Sequence, residues 1–192
     1  MNNNPDIKVY DNFITPELAV DIHNHILNNI SWKFIMLPFS FWESNMGRNF
    51  LENGITKFLF DFINENLFDK NLKVFYSSTN PENKYGEGYP NVYFNGQTKG
   101  QDGNIHKDSE ETNTFTLLYY PIPLHQNIEN KQWDYNWGGE LNFYNETDMI
   151  ESILPIPNRL VVFNSNLLHR ANAPSKYFTG GLRISLAYKC YI

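Results

Sequence analysis

From about residue 72 to the end of the chain, the sequence consists of short segments in which apolar side chains alternate with other residues. Alternation with a period of two is typical of β-strands that bury one face. Gly, Asn and Pro separate the segments, which read LKVFYSS, NVYF, TFTLLYY, GELNFYN, RLVVFN and LRISLAYKCYI. The pattern predicts an antiparallel double sheet or barrel, because a parallel sheet would need crossover helices between its strands.

The first 70 residues have a different pattern. Residues 7–13 (IKVYDNF) predict a short strand. Thr15-Pro16-Glu17 then supplies an N-cap oxygen, a proline at the first helical position and an early acid, so a helix should run to about Asn28. A second amphipathic helix is expected after Gly54. Residues 32–50, rich in Trp, Phe and Met without a clean period, are either core strands or a mobile aromatic flap.

Length and charge restrict the class of protein. At 192 residues we expect a single domain, 1–192, with helical support at about 15–70 and a β core at about 72–192. The net charge of −6 comes without a cluster of Lys and Arg, which argues against a nucleic-acid partner. No membrane span and no signal peptide are recognisable, so we expect a cytoplasmic protein without a membrane partner. The single cysteine, Cys190, should pack in the core. The oligomeric state is left open.

Three residues are candidates for a metal site. His106 and Asp108 form an H-x-D step, and residues two apart in extended backbone point to the same side, so both can reach one ion. His169 follows the segment RLVVFN and can lie beside the H-x-D strand. Two histidines and one carboxylate on one side of an ion are typical of iron(II) oxygenases, whose open positions take a cosubstrate and dioxygen. The same ligands also fit a zinc hydrolase. His125, in a proline-flanked loop, is expected to be structural.

Several further motifs follow one another along the chain. They are Tyr93 with Gly96, His106-x-Asp108, FTLLYY, Trp137-Gly-Gly-Glu-Leu141, PNRLVVFN, His169, and Arg183-Ile-Ser185. In this order, residues from about 88 to 190 resemble the catalytic core of the prolyl 4-hydroxylase-like 2-oxoglutarate oxygenases. The N-terminal DNFITPELAVDI resembles the opening strand and helix of that family. The resemblance implies a mainly β fold with flanking helices (α+β) and a double-stranded β-helix, a cupin-like jelly-roll core of two antiparallel sheets.

A binding site for 2-oxoglutarate follows from the same resemblance. Alternation in LRISLAYK puts Arg183 and Ser185 on one face of a strand, where the guanidinium has small neighbours. A buried arginine needs an anionic partner, and the distal carboxylate of 2-oxoglutarate would accept its planar fork. The alternative partner is an internal Asp or Glu. The family comparison carries two cosubstrate-bonding tyrosines onto Tyr120 and Tyr93.

The activity implied by the resemblance is hydroxylation of a substrate C–H bond. It consumes 2-oxoglutarate and dioxygen at iron(II), releases succinate and CO2, and is supported by ascorbate. No catalytic residue is assigned beyond the metal ligands, and Asp108 argues against the halogenating relatives, in which that position is vacated. A peptidyl proline is the favoured substrate. The alternatives are a free amino acid or other small metabolite, or a catalytically silent ligand-binding protein on the same fold.

Other residues are candidates to bind the carboxylate in place of Arg183 or to determine substrate specificity. Arg170 and Lys176 are possible alternatives to Arg183 as the carboxylate partner. Residues 32–50 and the long loop 121–138 are candidate lids that would set specificity. The loop carries three aromatic residues that either cover a pocket mouth or pack on its underside: Trp133, Tyr135 and Trp137.

Overall fold

The computed structural model describes residues 4–36, 41–77, 89–123 and 133–192. Its helices are α1 (Pro16–Asn29), α2 (Gly47–Leu51) and α3 (Ile55–Leu67), with a 3-10 turn at Tyr135–Trp137. Its strands are β1 (Ile7–Tyr10), β2 (Lys33–Ile35), β3 (Phe41–Asn45), β4 (Lys73–Val74), β5 (Tyr76–Ser77), β6 (Tyr89–Pro90), β7 (Val92–Gln97), β8 (Thr114–Tyr120), β9 (Leu141–Tyr144), β10 (Met149–Ile153), β11 (Arg159–Asn164), β12 (Leu168–Ala171) and β13 (Arg183–Tyr191). Residues 124–132 of the long loop, including His125, lie outside the described ranges.

Two antiparallel sheets form the β core. The large sheet has the order β1-β11-β8-β13-β7-β3-β2, and β4 pairs with the end of β13. The small sheet has the order β10-β9-β12, and β5 and β6 form a separate ribbon. β13 runs between β7 and β8, so its backbone is hydrogen-bonded on both sides. This arrangement confirms the predicted mainly β jelly-roll fold of two antiparallel sheets with flanking helices.

Alternation along β13 separates the two faces of the large sheet. The even-numbered side chains from 184 to 190 lie in a buried cluster with apolar residues of α1 and α3. Ala187 lies in a second cluster with Leu141 and Phe143 of the small sheet. Successive side chains of a strand point to opposite faces. The helices therefore cover one face of the large sheet, and the small sheet packs on the other, inner face.

Both predicted helices form. At the start of α1, the Thr15 hydroxyl oxygen accepts a hydrogen bond from the backbone N–H of Leu18 at 3.4 Å. Each helix buries an apolar stripe, which includes Ile22 and Ile26 on α1 and Leu59 and Ile63 on α3. Burial of each such side chain contributes about 1.5–3 kcal/mol, which holds the helices on the sheet. Within the described ranges, every helix is too short or too polar to cross a membrane.

The aromatic stretch 32–50 forms strands and a short helix where it is described. β2 pairs with β3, β3 pairs with β7, and α2 follows directly. The described part of this stretch therefore forms strands, but they lie at the edge of the large sheet with mostly exposed or half-buried side chains, so the interpretation as core strands is correct only in part. By extending the large sheet beyond β7, β3 brings Phe41 and Glu43 to the inner face.

Asn158 fixes the N-terminal segment to the β core. Its side-chain oxygen accepts from the N–H of Ile14 at 3.1 Å, and its side-chain nitrogen donates to the Ile14 carbonyl at 2.8 Å. The Asn158 carbonyl accepts from the N–H of Phe13 at 3.0 Å. Its backbone φ of 61° is left-handed, a conformation that asparagine adopts more readily than most residues. The start of α1 is thus tied to the turn before β11.

Candidate metal centre and adjoining cavity

A cavity of about 270 Å³ opens on the inner face of the large sheet. β13 contributes every second residue from Arg183 to Lys189 to its wall, as expected of one face of a strand. The three candidate metal ligands, His106, Asp108 and His169, line the same cavity. The fold therefore brings the H-x-D step, the distant histidine and the buried arginine to one space.

A short backbone pairing places His106 beside His169. The N–H of His106 donates to the carbonyl of His169 at 3.0 Å, and the N–H of His169 donates to the carbonyl of His106 at 2.9 Å. The N–H of Asp108 donates to the Ser165 carbonyl at 2.9 Å. As a result, one ligand atom from each of the three residues lies within 4.8 Å of the other two. The sequence did not predict that His169 lies within a strand of its own, β12, because the four residues LHRA show no clear alternation.

Backbone carbonyls orient both imidazoles. His106 Nδ1 lies 2.9 Å from the Asn104 carbonyl oxygen, and His169 Nδ1 lies 2.9 Å from the Leu167 carbonyl oxygen. A proton on each Nδ1 satisfies these contacts and leaves the Nε2 lone pairs free. The two Nε2 atoms lie 3.4 and 3.5 Å from the Asp108 oxygens. Carbonyl-anchored imidazoles with converging Nε2 atoms are typical of metal ligands, and the donor set of two imidazoles and one carboxylate fits iron(II).

The two histidines lie in different surroundings. The His169 side chain is 5% exposed, and its ring centroid lies 4.8 Å from that of Phe163. Burial lowers the pKa of His169 to about 4, so its imidazole is neutral near pH 7, as a metal ligand must be. His106 is half exposed, and the hydrogen bond that its protonated form donates to Asp108 raises the pKa of His106. One imidazole thus faces the core and the other faces solvent.

Lys189 pairs with Asp108 beside the two histidines. Its ammonium contacts Asp108 Oδ2, and the Thr116 hydroxyl donates to the same oxygen at 2.6 Å. Burial alone would raise the pKa of Asp108, but the Lys189 charge and the His106 hydrogen bond outweigh it and hold that pKa well below its usual range. The carboxylate is therefore ionised and fixed in orientation. Lys189 was not among the residues predicted for the site, although the alternation that places Arg183 on the inner face extends to it.

Arg183 is 2% exposed and makes no ion pair with any described residue. Its Nε donates to the Gly139 carbonyl at 2.8 Å, and its Nη1 donates to Gln97 Oε1 at 3.1 Å. Its Nη2 lies 3.4 Å from the Tyr120 hydroxyl oxygen. All three partners are neutral, so the guanidinium keeps an uncompensated positive charge beside the cavity. The predicted alternative, an internal Asp or Glu partner, is not present among the described residues.

The remaining candidate cosubstrate residues occupy two kinds of position. Ser185 and Tyr93 line the cavity, and the Lys189 ammonium lies 6.0 Å from the centroid of the Tyr93 ring. Burial raises the pKa of the Tyr93 hydroxyl, which stays protonated at neutral pH. Tyr120 lies behind Arg183, whose guanidinium carbon is 5.2 Å from the Tyr120 ring centroid, and is not part of the cavity wall. Tyr120 thus contacts the arginine rather than the open cavity.

Neither of the rival cations is part of the cavity wall. Arg170 Nε donates to Asn172 Oδ1 at 2.9 Å. Lys176 is exposed, with its ammonium 5.1 Å from the Tyr177 ring centroid. Of the three cations considered as carboxylate partners, only Arg183 lies where a ligand in the cavity could meet it.

The Trp137-Gly-Gly motif positions the Arg183 side chain through a backbone carbonyl. Gly138 and Gly139 have φ values of 63° and 81°, a left-handed turn that favours glycine and aims the Gly139 carbonyl at the guanidinium. Trp133 is 7% exposed and packs against Trp137, with ring centroids 5.3 Å apart. Neither tryptophan is part of the cavity wall, and Tyr135 between them is 80% exposed. The two tryptophans therefore pack under their loop and do not cover a pocket mouth.

Comparison with protein families identifies one match. The model of the 2OG-Fe(II) oxygenase superfamily, in which 2OG is 2-oxoglutarate, matches residues 90–188. These residues include all three candidate metal ligands as well as Arg183. No curated protein sequence matches the chain significantly.

Several solved structures share the fold. A prolyl hydroxylase from Trichoplax adhaerens, in complex with a peptide fragment of hypoxia inducible factor, is 17% identical with a TM-score of 0.60 over 98% of this chain and 84% of that chain. A prolyl-4-hydroxylase from Pseudomonas putida is 16% identical with a TM-score of 0.58 over 97% of this chain and 92% of that chain. The non-haem α-ketoglutarate-dependent epimerase SnoN of nogalamycin biosynthesis is 10% identical with a TM-score of 0.61 over 97% and 78% of the two chains. At these identities the likeness concerns the fold alone.

Proposed function

The chain belongs to the 2OG-Fe(II) oxygenase superfamily, and from this we propose that His106, Asp108 and His169 hold iron(II) while Arg183 binds the distal carboxylate of 2-oxoglutarate. The family uses iron(II), 2-oxoglutarate and dioxygen. In this assignment Ser185 and Tyr93 line the space that the cosubstrate would occupy.

The observation that carries the proposal is the charge of Arg183. A buried charge without a partner destabilises a protein by about 3–5 kcal/mol, so such a group is retained where a ligand neutralises it. Arg183 has only neutral partners among the described residues and lies in the same cavity as the two histidines and the aspartate. A dicarboxylate that reaches from the metal to the guanidinium would neutralise it. A zinc hydrolase with the same three ligands leaves this charge unexplained.

When bound, the iron with 2-oxoglutarate and dioxygen supplies the oxidant for hydroxylation, with release of succinate and CO2. The contribution of the protein is orientation and charge. Gly139 and Gln97 hold the Arg183 fork, Lys189 and Thr116 hold the Asp108 carboxylate, and the buried ring of His169 keeps that side of the site dry. Interactions already in place before binding need no reorganisation during the reaction.

For the substrate, we propose a peptidyl proline, as the similar fold of the two prolyl hydroxylases suggests. A free amino acid or other small metabolite is the second candidate. It is favoured by Glu43 and Asn95, two polar residues of the cavity wall whose acceptor oxygens have no partner among the described residues. The two candidate substrates differ in size and charge, so a substrate screen separates them.

The experiment is a screen of the purified protein with iron(II), ascorbate and 2-oxoglutarate against proline-containing peptides and free amino acids. Succinate is measured for every compound, and mass spectrometry identifies the compound that gains one oxygen atom. We expect slow succinate formation without substrate and faster formation with the true one. Absence of succinate under all conditions would contradict the assignment as an oxygenase that uses 2-oxoglutarate.

A further inference from the structure

Two polar side chains, Glu43 on β3 and Asn95 on β7, form a pair on the cavity wall. They are direct partners across the two antiparallel strands, and both line the cavity. Asn95 is in turn the partner of Ser185 on β13. Side chains of directly paired residues lie on the same face of a sheet and within reach of each other. The pair therefore lies in the same cavity as the proposed iron and 2-oxoglutarate sites.

Neither the Glu43 carboxyl group nor the Asn95 side-chain oxygen has a hydrogen-bond or ion-pair partner among the described residues. The Asn95 Oδ1 atom is buried and accepts no hydrogen bond. Glu43 is partly buried and takes part in no hydrogen bond or ion pair with the described residues. Burial raises the pKa of Glu43, and the Lys33 ammonium offsets this only in part. A buried acceptor without a donor is rare in native proteins and disfavours the free state, so the Asn95 oxygen beside a partly buried carboxyl group in the cavity wall points to a ligand.

The proposed cosubstrate cannot be that ligand. The carboxylates and keto group of 2-oxoglutarate are acceptors, as are Asn95 Oδ1 and ionised Glu43. Two acceptors need a donor, and a carboxylate forms its strongest hydrogen bonds with a positively charged one. An N–H group that carries positive charge meets both conditions.

The other charged groups of the wall have their own partners. Lys189 is paired with Asp108, and Arg183 is assigned to the distal carboxylate of 2-oxoglutarate. Lys33, the partner of Glu43 across β2 and β3, lowers the pKa of Glu43, but Lys33 is exposed and forms no ion pair with it. Glu43 is therefore the one charge of the described cavity wall that neither the protein nor the cosubstrate neutralises.

We propose that Glu43 and Asn95 form the subsite for a protonated nitrogen of the substrate, an ammonium or a guanidinium. The inference rests on the proposed function and specifies its substrate class. The molecule that is hydroxylated carries a positive N–H group, as a free amino acid, an amine, or a peptide with a basic side chain or free N-terminus near the target carbon does.

The test uses matched pairs of compounds that differ in charge at nitrogen. The iron-loaded protein with 2-oxoglutarate is given amino acids, diamines and lysine-containing prolyl peptides, each as the free amine and as its N-acetyl form. Substrate-stimulated succinate formation is the readout. We expect the charged member of the productive pair to have a kcat/KM at least about tenfold higher, because acetylation removes a charged hydrogen bond. Equal stimulation by both members, or stimulation by no member, would overturn the proposal.

Variants test whether Glu43 and Asn95 cause the preference for the charged compound. In Glu43→Gln, which keeps the shape and removes the charge, the KM for the charged compound should rise about tenfold or more relative to the KM for 2-oxoglutarate, and Asn95→Ala should act in the same direction. Lys33→Met is the matched control, because it removes only the nearby cation and should leave the preference for the charged compound intact. If Lys33→Met abolishes the preference as Glu43→Gln does, Glu43 is part of a structural pair and the proposal is wrong.

Failure of the proposed function and failure of the proposed subsite give different results. Absence of succinate in the wild-type protein with or without any compound contradicts the proposed function itself. If neutral and charged compounds raise succinate formation equally, the proposed function stands and the proposed subsite is wrong.

Discussion

Replacing Arg183 with methionine tests the cosubstrate assignment. The variant keeps a long side chain in the cavity wall and removes a guanidinium that has only neutral partners among the described residues. If Arg183 binds the distal carboxylate of 2-oxoglutarate, the variant loses two charge-assisted hydrogen bonds, each contributing about 1.5–3 kcal/mol. Taking the lower value for each gives about 3 kcal/mol, which corresponds to roughly a 100-fold rise in the apparent KM for 2-oxoglutarate.

The assay is the initial rate of succinate formation at increasing 2-oxoglutarate concentrations with saturating iron(II). A thermal-unfolding series provides a second readout, because a ligand that binds only the folded state raises the melting temperature. We expect Arg183→Met to lose this rise at cosubstrate concentrations that stabilise the wild-type protein. Arg183→Lys, which keeps a charge but not the planar fork, should have an intermediate KM.

Arg170→Met is the matched control, because Arg170 donates to Asn172 and is not part of the cavity wall. Its KM for 2-oxoglutarate should stay close to that of the wild-type protein. An unchanged KM in a folded Arg183→Met variant, or an equal rise in both variants, would show that the buried charge of Arg183 does not bind 2-oxoglutarate.

Two further predictions concern the support of the site and of the fold. Lys189→Met should weaken metal binding or activity by about 10–100-fold, because the ammonium fixes the Asp108 carboxylate. Cobalt(II) titration measures this, with the surface variant Lys107→Met as control, and equal affinities would contradict the role of Lys189. Asn158→Ala should lower the free energy of unfolding by about 2–4 kcal/mol, since it removes three buried hydrogen bonds and leaves alanine at a left-handed φ. Urea unfolding measures this, and an unchanged midpoint would contradict it.

Much of the β core could be predicted because its strands alternate strongly. In β13, alternation correctly put Arg183 and Ser185 on one face of the strand and Ile184, Leu186 and Tyr188 on the other; the structure shows that helices cover the second face. The same alternation places Lys189 on the cavity face. Lys189 was not predicted as part of the site because a single lysine is usually exposed to solvent. The pairing with Asp108 becomes visible only when β13 and the H-x-D segment are placed side by side.

Other parts of the site could not be predicted from local patterns. β12 is four residues long, too short to show a period, so the position of His169 within a strand was not evident. Glu43 lies in an aromatic stretch without a clear period, and its place in the cavity depends on the pairing of β3 with β7, about fifty residues later in the chain. Contacts between segments so far apart are set by the tertiary fold and leave no local signal.

We infer that turnover of 2-oxoglutarate depends on the cluster of two histidines and one aspartate. The most direct measurement compares succinate formation by the iron-loaded wild-type protein with that of Asp108→Ala and His169→Ala, with circular dichroism to verify folding. We predict that the wild-type protein forms succinate only with iron(II), that a chelator stops it, and that both variants lose the activity while they remain folded. If either folded variant keeps the wild-type rate, or if succinate forms equally well without iron, the claim is wrong.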